Sequence, residues 1–481
     1  MSLSLALSSA MSGLALSSRG TQVVSDNIAN AHTEGYAVRT LNQTSRVLGQ
    51  TGSGVMITGV SRQVNHALLA ELRGAASHTA HDAVLGGFWQ RFETEFGLPG
   101  EAGSLPQNLS RLGAALQQAS QNPDQNSSLQ QVTQSASAIA RSIAGLQDRL
   151  QLERDDADAA ILREITTVNQ SLENIAELNR KIQSQTLLGG SPAALIDARQ
   201  HLVDEISARI PVREFMRDDG RIMLMAQDGS ILVDREAAQF DFARSVQPGP
   251  ADRVENGALS AISLNGHELR PGNAMFETGQ IGALLQIRDI DGPLAQQQLD
   301  LVAFDLVNRF ADQTVDPSLA LNQFGLFSLE GLAGLPGEVT GIAGQLRVNP
   351  LLDPAQGGET WRLRAGMNAP APGDVLDNAI LNRMAQALDA PRALAGTSGA
   401  KRSASLHASN LLSDVARSRL DVEQQGTFNA ARYASLREAF SAEGVDTDAE
   451  LSKLLRLEQA YSANARVLST VDAMMRTILE I

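Results

Sequence analysis

Both ends of the chain carry a helical heptad, and this limits what the chain can become. Leu3, Leu7, Ala10, Leu14, Ser17, Thr21, Val24 and Ile28 step by four and three in strict alternation, which puts them on one helix face. At the far end, Leu454, Tyr461, Leu468 and Met475 occupy one seam position, and Leu457, Asn464, Val471 and Ile478 the other. The first helix is weak on its own. Gly13 and Gly20 each cost ~1 kcal/mol relative to Ala, and Ser17 and Thr21 interrupt the apolar seam. Small residues do let another backbone approach closely. The ends are therefore expected to gain order from each other, which makes the chain a hairpin with everything else inserted between them.

The first helix should stop near Asn30, with Gly35 free to take the left-handed conformation that ends helices. Residues 38–65 read as extended, including the alternating Val55-Met56-Ile57-Thr58. From 66 to about 209 the period is helical, with one or two long helices over 126–186 bounded by Asn122-Pro123-Asp124 and Gly189-Gly190-Ser191-Pro192. Residues 210–290 lose that period, and a β-hairpin is expected to turn at Asp228-Gly229. Helix resumes at 292–314, 374–389 and 403–440. The expected fold class is mainly α with an inserted β domain, in an elongated multidomain chain whose N- and C-terminal helices pair as a coiled-coil-like bundle. The expected domains are a terminal helical domain of 1–40 with 446–481, a mainly helical domain with short strands of 41–209 with 291–445, and a β-rich insertion of 210–290.

Composition removes several function classes. The chain has 481 residues, consistent with about three domains. Aromatics are 4%, so its cores must be built from Ala, Leu, Ile and Val. A net charge of −15 repels nucleic acid on average. With no cysteine, disulfides, thiol catalysis and Cys-ligated metals are excluded. No apolar run reaches the length of a membrane span. The opening Met1-Ser2-Leu3-Ser4-Leu5 lacks a basic n-region and reads as mature structure rather than a cleaved signal.

No catalytic constellation stands out. His78 and His81 lie one helical turn apart, but zinc needs at least one more ligand. Gly49, Gly52, Gly54 and Gly59 resemble a phosphate loop yet lack the Lys-Ser/Thr of one. Asp155, Asp156 and Asp158, among Arg149, Arg154 and Arg163, read as a solvated, salt-bridged helix face. There is no Gly-x-Ser-x-Gly elbow. The chain is expected to be no enzyme, with no catalytic residue, no cofactor and no metal.

The motif Asn27-Ile28-Ala29-Asn30-Ala31-His32-Thr33-Glu34-Gly35-Tyr36 resembles the Asn-Ile-Ala-Asn-x-x-Thr-x-Gly-Tyr signature of the bacterial flagellar axial proteins, the rod, hook and hook-associated proteins. Ser9-Ala10-Met11-Ser12-Gly13-Leu14 resembles that family's opening, and Glu458-Gln459-Ala460-Tyr461-Ser462-Ala463-Asn464 with Ala465-Arg466-Val467-Leu468 its closing helix. Phe92-Glu93-Thr94-Glu95-Phe96-Gly97, Asn122-Pro123 and Glu443-Gly444-Val445-Asp446 look like the hook-associated branch.

The resemblance implies a structural component exported through the flagellar type III apparatus without cleavage. It implies assembly outside the cell as a ring of subunits at the distal hook, forming the hook–filament junction. Implied partners are copies of itself, the hook protein, the next hook-associated protein, and an export chaperone at the C-terminal region, with no nucleic acid and no membrane. The axial-packing residues would be the terminal seams: Leu3, Leu7, Ala10, Leu14, Val24 and Ile28 with Leu454, Leu457, Tyr461, Asn464, Leu468, Val471, Met475 and Ile478. The family-motif residues are Asn27, Ile28, Ala29, Asn30, Thr33, Gly35 and Tyr36. Asn464 either fixes register in the seam or is a tolerated polar residue facing solvent. Alternatives are a hook or distal-rod protein or, from another class, a cytoplasmic coiled-coil adaptor.

Overall fold

Apolar residues at three- and four-residue spacing, with few β-branched runs, make helix the dominant element. The computed structural model describes residues 3–33, 35–48, 51–97, 103–245, 247–394 and 399–479. Met1, Ser2, Glu34 and Gly49 of the sequence readings lie outside these. The order is α1 (Leu3–Ala29), β1 (Arg39–Leu48), β2 (Thr51–Arg62), α2 (His66–Phe96), α3 (Leu105–Gln121), α4 (Asn126–Leu187) and α5 (Ala193–Arg209). Then come β3 (Val212–Met216), β4 (Ile222–Ala226), β5 (Ile231–Val233), β6 (Phe240–Asp241), β7 (Ser263–Leu264) and β8 (His267–Glu268). After α6 (Gly279–Gln286) and α7 (Gly292–Phe310) follow β9 (Phe327–Leu329), β10 (Leu346–Val348), α8 (Arg362–Ala365), α9 (Ala379–Asp389), α10 (Ala404–Ala442) and α11 (Thr447–Leu479). The expected long helix is a single element, α4, of 62 residues. The fold is mainly α with small antiparallel sheets.

The chain divides into two compact units, residues 1–79, 166–239 and 429–481, and residues 80–165 and 240–428. These boundaries differ from the three expected domains. The 210–290 stretch in particular is shared, with β3–β5 in the first unit and β6–β8 in the second.

In the first unit, α1 packs against α11 and against β2 of the β1–β2 hairpin. The expected turn at Asp228-Gly229 is present, with Gly229 at φ +89°. Asn179 of α4 substitutes for a strand partner of β4, its Nδ2 donating to Ile222 O at 2.8 Å and its Oδ1 accepting from Ile222 N at 3.2 Å.

In the second unit, α2, α3, α4, α7, α9 and α10 share one apolar core. Phe92 and Phe96 meet edge to face at 5.2 Å inside it, and Phe310 meets Phe327 in the same way. The acidic and basic stretch of α4 is not a solvated face. Arg154 and Asp158 are both fully buried. The Asp158 carboxylate accepts from Arg288 at 2.6 Å and from Ser245 N at 2.7 Å. Arg154 donates to the carbonyls of Arg288, Gly249 and Asp252. Burial pulls the Arg154 guanidinium down to about 10. Periodicity within α4 could not reveal this cover, because the covering residues lie about 90–130 positions further along the chain.

Candidate interaction site on the terminal helices

The pairing of α1 with α11 is set by three contacts. A Cβ placed on Gly13 would lie 2.6 Å from Asn464 Nδ2, and one on Gly20 would lie 3.0 Å from Leu457 Cδ2. Asn27 Nδ2 donates to Glu450 Oε2 at 3.0 Å. Each step of seven residues forward on α1 is matched by seven backward on α11. The helices are therefore antiparallel and keep heptad phase along their contact. The α1 edge that meets α11 runs through Gly13, Gly20 and Asn27, each one residue before a seam position assigned from apolar spacing, Leu14, Thr21 and Ile28. Glycine admits the close approach, so the seam follows the smallest residues and not the largest. The seven-residue spacing of these three residues was the available signal.

Of the proposed packing residues, Ala10, Val24 and Val471 are buried. Leu3, Leu7, Leu14, Ile28, Leu454, Leu457, Asn464 and Leu468 are half-buried. Tyr461, Met475 and Ile478 are exposed. Asn464 satisfies its own Nδ2 on Ala460 O at 2.9 Å, one turn back on α11. Leu451, Leu455, Val467 and Met474 join the exposed set, so α11 carries uncovered apolar side chains on both flanks of its α1-facing edge.

The motif Asn27 is the most constrained group in this region. It is 0% exposed. Its Oδ1 accepts from Tyr36 Oη at 2.8 Å and from Arg39 N at 3.0 Å. Its Nδ2 donates to Arg39 O at 2.9 Å and to Glu450. One amide thus ties α1, the connecting turn, the start of β1 and α11, with all four of its bonding sites used. The turn itself ends α1. Asn30 Nδ2 bonds back to Asp26 O at 2.8 Å, and Tyr36 N closes on Thr33 O at 3.2 Å. Gly35 stands at φ +78°, in that turn and not at the helix stop itself. Ala29 and Thr33 are exposed.

Electrostatics support the same junction. Arg39 lies over the Tyr36 ring at 4.7 Å. Burial pushes the Tyr36 phenol above its ordinary value, with Arg39 opposing. Asp197 of α5 pairs with Arg39 at 2.8 Å and Arg62 at 2.7 Å, clamping both strands of the β1–β2 hairpin. Glu450, itself buried, also takes Lys453 Nζ at 2.5 Å. Sequence reading did not single out Glu450, Arg39 or Asp197.

Among the described residues, no group of three or more His, Asp or Glu is placed to hold a metal, and no helix is long and apolar enough to cross a membrane. His81 Nδ1 stands 3.4 Å from Asp82 Oδ1.

Three family models match the chain in order: flagella basal body rod protein at residues 7–36, the flagellar hook-associated protein FlgK helical domain at 93–316, and flagellar basal body rod FlgEFG protein C-terminal at 437–481. Flagellar hook-associated protein 1 of Salmonella typhimurium is 25% identical over 63% of this chain and 55% of its own length. That of Escherichia coli is 23% identical over 64% and 56%. The chain thus spans about half the length of these curated relatives. The Bacillus subtilis protein is 20% identical over 98% of this chain and 97% of its own. The solved flagellar hook junction protein FlgK of Burkholderia pseudomallei aligns with TM-score 0.46 at 19% identity, over 54% of this chain and 46% of that one.

Proposed function

The chain belongs to the flagellar axial proteins, in the branch of hook-associated protein 1, and from that membership we propose that it is a structural subunit of the bacterial flagellum, assembled at the distal hook as the hook–filament junction. The observation that carries this reading is α11. Its exposed Leu451, Leu455, Val467 and Met474 stand off the edge that meets the chain's own α1 through Glu450, Leu457 and Asn464. Burying an apolar side chain of this size contributes about 1.5–3 kcal/mol, so a neighbouring copy laid on these flanks gains a large driving force. Repeating heterologous contacts of this kind close into rings or extend as helices.

The partners in this proposal are copies of the chain, the hook protein below and the next hook-associated protein above. An export chaperone on the C-terminal region would cover α11 before assembly. The subunit has no catalytic role. Immunogold labelling of purified hook–basal bodies tests the proposal, with a single band at the hook tip as the expected result. Labelling along the whole hook, or a deletion strain that still builds normal filaments, would overturn it.

A further inference from the structure

A second candidate site lies in the first unit. A cleft of about 250 Å³ opens between β2, the start of α2, α5 and the β3–β4 strands. Val60, Leu69, Ile196 and Val203 line it with apolar surface, and Arg62 and Arg199 bring two guanidinium groups to it. Arg199 is 2% exposed and commits only Nη1, to Asn179 Oδ1 at 2.8 Å and Gly220 O at 3.0 Å. Its Nε and Nη2 have no partner among the described residues. Arg62 uses Nη2 on Asp197 and on Gln200 Oε1 at 2.8 Å, while its buried Nε has no hydrogen-bond partner among the described residues.

The charges around the cleft do not balance. Arg39 and Arg62 share Asp197, and Arg73 takes both Asp204 and Glu214 at 2.6 Å. Glu214 also lines the cleft, but Arg73 holds its carboxylate. Four guanidinium groups therefore stand against three carboxylates, and Arg199 is the cation with no ion-pair partner among the described residues. Burial pulls Arg62 below its ordinary value, with Asp197 opposing, and Arg199 down to about 10, with Glu214 opposing.

We propose that this cleft binds a small aliphatic carboxylate, with the anion seated between Arg62 and Arg199 and the tail against Val60, Leu69 and Val203. A guanidinium presents paired donors that match a carboxylate, and apolar walls beside a charged floor select a short branched tail over a bare inorganic anion. The same chemistry is offered by a free short-chain acid and by an Asp or Glu side chain with an apolar neighbour on a second copy of this chain.

The test titrates the full chain with sodium isobutyrate at constant ionic strength while methyl NMR resonances are followed. Saturable shifts are expected at Val60, Ile196 and Val203, with none from isobutylamine and none from added chloride. Filling the rim with Val64→Phe is expected to weaken binding about tenfold or more, with thermal unfolding of the variant confirming that it folds. The comparison of isobutyrate with isobutylamine needs no variant. Shifts that fail to saturate, or that chloride or the amine reproduces, would overturn the proposal. Sedimentation in saturating isobutyrate separates the sources. Loss of self-association assigns the cleft to a neighbour's carboxylate, and unchanged self-association assigns it to a free acid.

Discussion

Gly13 of the first helix lies directly beneath Asn464 of the last, with no room for a Cβ between them. The contact is to the far end of a side chain that already bonds within its own helix, so Asn464 has somewhere to go. Gly13→Ala should therefore come out near neutral, a helix-propensity gain of ~1 kcal/mol offsetting the displacement of Asn464. Gly13→Leu should open the helix pair at a cost of about 1–3 kcal/mol, and Asn464→Ala should recover part of it. Amide hydrogen exchange across α1 and α11 reads both effects.

Asn27→Ala removes one amide and strands four groups: the Tyr36 hydroxyl, both backbone groups of Arg39 and the Glu450 carboxylate. Unsatisfied buried groups cost about 1–3 kcal/mol each when fully stranded, and local relaxation recovers some of that. The expected loss is about 2–4 kcal/mol in chemical denaturation. Asn27→Asp should cost more, since it places a second carboxylate against Glu450.

Arg288→Met leaves Asp158 buried without its cation. A buried ion pair broken from one side costs about 3–5 kcal/mol. The double variant Arg288→Met with Asp158→Asn should be markedly more stable than Arg288→Met alone. A thermal double-mutant cycle checks this, and additivity of the two changes would contradict it.

Asp291, the last residue of the π-helical turn Ile287–Asp291, has its carboxyl pushed up to about 6 by burial, opposed only by Gln286. An unfolded Asp titrates near about 3.9. The folded chain therefore holds this proton more tightly, and stability falls as pH rises from about 4 through about 6. Asp291→Asn should be more stable than the parent at pH 7, by about 3 kcal/mol, and equal to it near pH 4. Melting curves at both pH values decide the matter.

Val467→Asp combined with Met474→Asp alters exposed positions on α11. Monomer stability should stay within about 0.5 kcal/mol. Assembly onto hooks should be lost, read by complementation of motility and by electron microscopy of hook tips.

The terminal helices, the 62-residue α4 and the Asp228-Gly229 hairpin were all readable from the amino acids, because each depends on local periodicity or on turn chemistry. The family motif was readable as well, but the work Asn27 does was not, since Glu450 stands 423 residues away and no spacing rule connects them. Apolar spacing gave α1 a seam of Leu3, Leu7, Ala10, Leu14, Ser17, Thr21, Val24 and Ile28, of which Ala10, Ser17 and Val24 are buried. It did not include Gly13 and Gly20, which meet Asn464 and Leu457 because close approach of two backbones rewards the missing side chain, nor Asn27, which reaches Glu450 through its amide.

The amino-acid sequence by itself determined that this protein would be mostly helix, with a weak, small-residue helix at one end and an apolar one at the other. It left undecided which edges meet, whether Arg154 and Asp158 face water, and that Arg199 would line a cleft. Those are matters of what lies across a gap in space. Local conformation follows from steric and hydrogen-bonding rules that act over a few residues, whereas burial and charge pairing depend on segments that only the completed fold brings together.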